Sequence, residues 1–286
     1  MISILIPAKN EAKSLALLLP ELRSSFPSAE VILINDGSED DTSEICRKNQ
    51  VTEVLHPYSK GNGASIKSGL RIAKGEVIVC MDADGQHRAQ DVQQLVDKLA
   101  QGYDMVVGSR NRRGQANLRR SFANSFYNWF ASWMVGHKVL DLTSGFRAMK
   151  KKRFIEFISL LPNKFSYPTT ITMSFFRAGY SVAYVPIEVQ KRLEGTRSHV
   201  KIVQDGLRFF LIIFKIGTLF SPLKIFAPTS LFFFLMAAIY YFHTYLTDGR
   251  FTNMGALLFT TAVLIFLMGL VSEQITSLMY KDTNRE

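Results

Sequence analysis

The chain has 286 residues, 47% of them hydrophobic, and a formal net charge of +10 at neutral pH. That length holds one sizeable domain and an appendage, and two unpaired-looking cysteines exclude a disulfide framework or a zinc site and fit a reducing compartment. Much of the positive charge falls between Arg110 and Arg153, where Asp141 is the sole acid; such a stretch attracts an anion, whether nucleic acid, anionic lipid or a phosphorylated substrate, although a solvated basic face accounts equally well for any single lysine in it.

In chain order, Ile2 to Ile6 is a short β-branched strand ending at Pro7, with no basic region before it and too few apolar residues for a signal peptide. Ala12 to Phe26 carries Leu15, Leu18, Leu19 and Leu22 at helical spacing. Val31 to Ile34 is a buried-strand pattern stopped by Asn35-Asp36-Gly37-Ser38. A helix near Asp40 to Lys48, a strand near Thr52 to Leu55 and a helix near Asn62 to Ala73 follow. The strand Glu76 to Met81, with Cys80 as a small core residue, leads to a helix near Ala89 to Gln101 and a strand from Asp104 to Val107. Strands alternating with helices predict an α/β domain with a mostly parallel sheet covered on both faces, whose ligands bind at the carboxyl ends of strands. The polar clusters fall there, after Ile6, Ile34, Met81 and Val107.

The C-terminal third changes character. Lys201 to Phe220 mixes Lys201, Arg208 and Lys215 with Phe and Leu, which suits a helix lying in a membrane interface. Ile225 to Leu246 and Met254 to Val271 are apolar runs close to the roughly 20 residues that span a bilayer, joined by the polar turn Thr247 to Asn253. The second run extends through Glu273, placed near an interface, to Tyr280. Lysines and arginines flank the outer ends of this hairpin, so the positive-inside rule predicts a multi-pass protein of the cytoplasmic membrane with both termini and the first domain in the cytoplasm. The expected division is 1–200, 201–221 for the interfacial helix, 222–281 for the hairpin and 282–286 as a tail.

Three local patterns carry chemistry. Asp82-Ala83-Asp84-Gly85-Gln86-His87 sets two carboxylates one residue apart past a buried strand, a spacing that can hold a hard divalent cation against a diphosphate; alone, it is common at turns. Asp36 can accept from a nucleobase ring N–H, while a turn before a helix N-cap explains it locally. Lys60-Gly61-Asn62-Gly63-Ala64 opens a helix, where small residues let backbone N–H groups approach a phosphate.

Taken in order, Pro7-Ala8-Lys9-Asn10-Glu11, Asn35-Asp36-Gly37-Ser38, Gly61-Asn62-Gly63-Ala64, Asp82 to His87, Gly108-Ser109-Arg110 and Asp141-Leu142-Thr143-Ser144-Gly145-Phe146-Arg147 form a series. The series resembles glycosyltransferase family 2, and within it the dolichyl- or undecaprenyl-phosphate mannosyl- and glucosyltransferases, over residues 1 to about 200. The resemblance implies a GT-A (Rossmann-like) nucleotide-sugar domain and an inverting transfer of one sugar from a UDP- or GDP-sugar to a polyprenyl phosphate. It implies that Pro7, Ala8, Asn10, Glu11, Asp36 and Ser38 line the nucleoside pocket, with Gly61 and Gly63 at a phosphate. Asp82, Asp84 and Gln86 would hold Mg2+ or Mn2+ and the diphosphate. Arg110 with Arg119 or Arg120, together with Ser144, Arg147, Arg192 and Arg197, would meet the acceptor phosphate. Asn62 departs from the family, where relatives often carry Lys. Asp141 is expected to orient Arg147 or the acceptor, with a role as a base the weaker alternative. A polyprenyl phosphate has a second pKa of about 6 and is mostly dianionic at neutral pH, so it needs arginines more than a strong base.

Three other readings compete. A processive polysaccharide synthase shares the nucleotide half, but Trp129 and Trp133 lack the Gln-x-x-Arg-Trp context and the hairpin is small for a polymer channel. A nucleic-acid binder leaves the spans and carboxylates without a role. A non-catalytic membrane scaffold leaves the Asp-x-Asp without one. Beyond donor, acceptor and bilayer, a second copy packed through the hairpin is the remaining expected partner.

Overall fold

The computed structural model describes residues 1–110, 118–164, 166–188, 190, 211, 214–215, 217–219 and 221–283. The chain separates into two compact units, Met1–Ile212 and Ile213–Glu286. The expected interfacial helix at 201–221 lies almost wholly outside the described residues.

In the first unit, β1 (Ile2–Ala8), α1 (Ala12–Ser25), β2 (Glu30–Asn35), α2 (Thr42–Lys48), β3 (Thr52–Leu55), α3 (Asn62–Ile72), β4 (Val77–Cys80), α4 (Ala89–Ala100) and β5 (Met105–Arg110) follow the pattern read from the sequence. Beyond them come α5 (Leu118–Val135), β6 (Arg147–Lys150), α6 (Lys151–Ile155), α7 (Tyr167–Arg177) and β7 (Val182–Ile187). The seven strands form one sheet in the order β3-β2-β1-β4-β6-β5-β7. All neighbours run parallel except where β6 is inserted antiparallel between β4 and β5.

Both faces of the sheet are covered, which is why the strands read as unbroken apolar runs. Ile4, Ile6, Leu33 and Val79 point to one face and meet Leu15, Leu19 and Leu22 of α1 and Leu95 of α4. Leu5, Ile32, Ile34 and Ile78 point to the other and meet Ile66 and Leu70 of α3 and Tyr167, Ile171 and Phe175 of α7. Each such side chain contributes about 1.5–3 kcal/mol on burial. This two-sided burial fixes the register. β1, β2, β4 and β5 therefore deliver Ala8, Asn35, Cys80 and Arg110 to one edge, where antiparallel β6 begins with Arg147 opposite Cys80.

The second unit is a hairpin of α8 (Pro222–Asp248) and α9 (Asn253–Thr283), turning at Gly249 in the left-handed region. Both helices are long and apolar enough to cross a membrane, and most of their side chains face outward. Polar contacts join them. The Ser230 hydroxyl donates to Ala262 O at 2.7 Å, and the Thr276 hydroxyl ties α9 to the residue Leu219 ahead of α8, donating to its O at 3.1 Å. Glu273 accepts from the Leu223 N–H at 3.2 Å, so this carboxylate, expected near an interface, caps the first turn of α8. Gly269 packs where a Cβ would lie 2.6 Å from Phe226 Cβ.

Among the described glycines of the first unit, Gly63 meets the closest neighbour. A Cβ there would sit 1.9 Å from the Pro162 carbonyl oxygen. Gly63→Ala is expected to cost about 1–3 kcal/mol through overpacking, lowering the apparent melting temperature by several degrees. A melting curve superimposable on that of the parent chain would show that the 162–164 segment retreats freely.

Candidate active site

The loops after β1 and β2 are stitched together. The Asp36 N–H donates to Ala8 O at 2.8 Å, the Asn10 N–H to Ser38 Oγ at 3.0 Å, and the Glu39 N–H to Asn10 Oδ1 at 2.8 Å. Asn10 adopts φ 57, a left-handed conformation that asparagine tolerates, and this turns the chain toward the neighbouring loop. Asn35 holds the second loop, its Oδ1 accepting from the Ser38 N–H at 2.9 Å. Pro7, Ala8, Asn10, Glu11, Asp36 and Ser38 are thus gathered at one place.

Asp36 is 5% exposed, and its carboxylate is filled from within the chain. Oδ1 lies 2.7 Å from His56 Nδ1 and accepts from the Lys60 N–H at 2.8 Å. Oδ2 accepts from the Ser59 hydroxyl at 2.8 Å and the Gly61 N–H at 2.9 Å. Burial pushes this carboxyl up, but the hydrogen bonds from His56, Lys60, Ser59 and Gly61 outweigh it and hold it below its ordinary value. A carboxylate has about four acceptor sites, so taking a nucleobase N–H requires one of these bonds to be given up.

Gly61, the residue before α3, and Gly63, in its first turn, were expected at a phosphate, but their N–H groups are engaged within the chain. The Gly63 N–H donates to Lys164 O at 3.2 Å and the Ala64 N–H to Asn163 O at 2.8 Å, while the Gly61 N–H is held by Asp36. These donors are spent on a neighbouring loop rather than left for a phosphate. The glycines are required because that loop's backbone comes too close for a Cβ.

After β4, Asp82 keeps 40% of its side chain exposed while Asp84 is 6% exposed. Asp84 Oδ1 accepts from the Gln86 N–H at 3.2 Å. Gln86 also fastens the exit of β7: its carbonyl accepts from the Gln190 N–H at 3.1 Å and its side-chain amide donates to Gln190 O at 3.3 Å. His87 stacks on Phe146 with ring centroids 4.5 Å apart and places Nε2 4.0 Å from Asp82 Oδ2. Its Nδ1 is buried with no hydrogen-bond partner among the described residues. Burial pushes the imidazole pKa down against the pull of Asp82, Asp84 and Asp91. Gly145 lies flat against Asp82, where a Cβ would come within 2.8 Å of both carboxylate oxygens.

Among the described residues no three His, Cys, Asp or Glu side chains form a complete metal cage. The hard oxygens of Asp82 and Asp84 do suit a Mg2+ or Mn2+ ion that draws its remaining ligands from a diphosphate and water, the usual way such ions sit in phosphate-handling sites.

Arg110 ends β5 beside them. Its Nε donates to Asp141 Oδ2 at 2.8 Å, and its Nη2 to Asp141 Oδ1 at 2.9 Å and to Thr143 Oγ1 at 2.5 Å. Among the described residues no partner takes Nη1. Asp141 therefore orients Arg110 and not Arg147, one of the two partners expected for it. Arg147 and Ser144 are also corrected: neither reaches the surface. Arg147 is fully buried, donating to Ser144 O, to Pro168 O at 3.1 Å and to Thr172 Oγ1 at 3.0 Å, and Ser144 is 3% exposed. Arg119 and Arg120 stand in the first turn of α5, where side chains are not described. Arg192 and Arg197 lie outside the described residues.

A model of glycosyl transferase family 2 matches residues 3–166, and a model of the GtrB C-terminal hairpin matches residues 221–278. This chain belongs to glycosyl transferase family 2. It is 27% identical to the putative glycosyltransferase CsbB of Bacillus subtilis (strain 168), covering 100% of this chain and 89% of that protein. It is 27% identical to the polyprenol monophosphomannose synthase of Mycolicibacterium smegmatis, covering 66% of this chain and 77% of that one. The solved glucosyl-3-phosphoglycerate synthase of Mycobacterium tuberculosis, in complex with Mn2+, uridine diphosphate and glucosyl-3-phosphoglycerate, shares the fold with a TM-score of 0.62 at 19% identity, over 76% of this chain and 80% of that chain.

The glycosyltransferase thus sets two carboxylates and one restrained guanidinium at the same sheet edge. Sequence reading did not single out Thr143, which fixes Arg110, or Tyr167, whose hydroxyl donates to Gly145 O at 2.9 Å and supports the wall behind Asp82. Tyr167 lies far from every motif and gave no signal; Thr143 lay inside one.

Burial raises the Asp141 carboxyl, but the Arg110 contacts and the N–H groups of Arg110 and Thr143 bring it below its ordinary 3.8. A carboxyl depressed by folding stabilises above its unfolded pKa and loses that contribution as pH falls through the lower folded value. The melting-temperature difference between the glycosyltransferase and its Asp141→Asn variant should therefore stay flat between about pH 5 and pH 8 and shrink only under stronger acidification. A difference that already declines on going from pH 8 to pH 6 would contradict an ion pair at this position.

Proposed function

We propose that this glycosyltransferase moves one sugar from a nucleoside diphosphate sugar to a polyprenyl phosphate, with inversion, at the cytoplasmic face of a membrane. The observation that carries the reading is Arg110, clamped by Asp141 and Thr143 beside Asp82 and Asp84 and keeping one guanidinium edge uncommitted among the described residues. A guanidinium so fixed binds a phosphate oxygen with little further loss of side-chain entropy. The apolar hairpin supports a lipid-borne acceptor, as does similarity to the polyprenol monophosphomannose synthase of Mycolicibacterium smegmatis and the undecaprenyl-phosphate mannosyltransferase of Micrococcus luteus. Undecaprenyl phosphate is the preferred acceptor on this reading and dolichyl phosphate the alternative.

Asp82 and Asp84, with Gln86, would hold a Mg2+ or Mn2+ ion, which when bound neutralises charge on the leaving diphosphate. The paired loops carrying Pro7, Ala8, Asn10, Glu11, Asp36 and Ser38 would hold the nucleoside. Arg110, joined by Arg119 or Arg120 and by Arg192 and Arg197, would bring the acceptor phosphate to the anomeric carbon despite the charge of the donor. A dianionic phosphate oxygen attacks that carbon directly, the bond to the diphosphate breaks, and no proton has to be removed. Asp141 then serves as the brace of Arg110 rather than as a base.

Arg110→Ala should lower transfer to a short-chain polyprenyl phosphate roughly ten- to a hundredfold, the worth of a charge-assisted bond, while donor binding measured calorimetrically barely changes. Loss of donor binding with acceptor saturation intact would put Arg110 on the donor side. Asp84→Ala should lower transfer by at least roughly a hundredfold. Undiminished Asp84→Ala activity in chelator would remove the metal from the reading.

The orientation is tested separately. Both native cysteines are buried, so an impermeant thiol reagent meets little background. In intact cells it should label Asn253→Cys, on the hairpin turn, and spare Ser28→Cys, on the first unit; the opposite pattern would invert the topology.

A further inference from the structure

α5 wears its hydrophobic residues on the wrong side for a helix of a water-soluble domain. Its buried face is Ala131, Met134 and Val135, at 0%, 1% and 6% exposure. The opposite face carries Phe126, Trp129, Phe130 and Trp133, spaced i, i+3, i+4 and i+7 along one stripe. Phe126, Trp129 and Trp133 are 42%, 62% and 42% exposed. The rings pack on one another along the helix, Phe126 with Phe130 at 6.3 Å and Phe130 with Trp133 at 5.9 Å between centroids. They form a continuous aromatic ridge, not scattered exposed residues.

We infer that this ridge is a second membrane-contact surface, seated among the headgroups and upper acyl chains of the bilayer that the hairpin crosses. The composition favours a lipid surface. Trp is enriched where an apolar phase meets water, and a helix with aromatic residues on one face and basic residues nearby lies in that plane. The charge agrees: Arg112, Arg113, Arg119 and Arg120 precede the ridge, Lys138 follows it, and no Asp or Glu occurs from 111 to 140, a balance complementary to anionic headgroups. A bilayer is also the apolar partner that the chain's own two apolar helices bring to it. In the chain α5 follows the Arg110 segment closely, so seating the ridge would hold the acceptor-binding end of β5 near the surface where a lipid-borne phosphate resides. That consequence rests on the proposed acceptor; the membrane contact itself does not.

The chain has two tryptophans, Trp129 and Trp133, and none in the hairpin, so intrinsic tryptophan fluorescence reports the ridge alone. The full chain is reconstituted into vesicles of phosphatidylcholine and phosphatidylglycerol, with and without acyl chains brominated near the headgroup. Bromolipid should quench the emission by about twofold or more, deep bromination should quench less, and aqueous iodide should have little effect. The single-tryptophan variants Trp129→Phe and Trp133→Phe, which keep the ridge aromatic, should both remain bromolipid-quenched. Strong iodide quenching without bromolipid quenching would place the ridge in water and overturn the inference. Protection from both quenchers would mean that a second copy or another protein covers it, which overturns it equally. A failed transfer assay leaves this readout untouched, so the two proposals fail independently.

Discussion

A guanidinium sealed inside a sheet domain needs a reason, because removing a cation from water costs several kcal/mol even after relaxation. Arg147 is 0% exposed and, among the described residues, forms no ion pair. Its charge is met by oxygens instead: Ser144 O, Pro168 O, Thr172 Oγ1 and the ring of Tyr167, 5.8 Å away. These bonds weld three pieces of chain: the turn before β6, the start of β6 and the first turns of α7. β6 is the one antiparallel strand in the sheet, wedged between β4 and β5. Fixing its entry fixes everything the preceding turn touches. Gly145 is pressed against Asp82, Phe146 stacks on His87, and Asp141 is held within reach of Arg110. The exposed site is precise because the residue beneath it is not free to move.

The site's electrostatics follow from that arrangement. Asp82 faces solvent while Asp84 is buried, and Arg110 feels the charge of Asp82 as well as its bond to Asp141. One negative and one positive element therefore share a sheet edge without neutralising each other, because Arg110 is already paired. A site built to hold two anionic substrates side by side requires this separation. A guanidinium free to swing would bind the nearer carboxylate in their absence, whereas the Asp141 clamp sets its direction beforehand. Preorganisation of this kind costs nothing at the moment of reaction.

Most of the first unit was legible because its strands are buried on both faces and its polar clusters fall where strands end. β1 to β5 and α1 to α4 match the sequence reading closely, and the acidic pair and Arg110 do meet at one edge. β6 was missed because Arg-Ala-Met-Lys is four residues long and begins and ends with cations; nothing in periodicity says that its first residue is buried. Arg147 and Ser144 were placed at the acceptor phosphate because the family resemblance puts them in the Asp141 to Arg147 motif, and no periodicity in the sequence shows that both are buried. Gly61 and Gly63 illustrate a second limit. Small residues at a helix start signal close backbone approach, but the signal is the same whether the approaching group is a phosphate or another loop, and here the loop 162–164 fills the place. Asp141 was read beside Arg147, its neighbour in the motif, whereas the sheet brings Arg110 to it from 31 residues away.

The hairpin meets a different constraint with similar means. In hydrocarbon every backbone polar group needs a partner within the protein, and two apolar helices gain little from hiding surface against each other when lipid is as apolar as leucine. The contacts that join α8 to α9 are accordingly polar or steric: Ser230 to Ala262 O and the close approach at Gly269, while Thr276 of α9 holds Leu219 O just before α8. Glu273 belongs to this set. A carboxylate in an otherwise apolar run is costly unless it answers a specific need, and the unpaired N–H groups at the start of α8 supply one. The sequence placed Glu273 near an interface but gave no partner for it. Its bond to Leu223 makes it the tie that closes the hairpin at the end where the chain enters from the first unit, on the side where the basic residues gather.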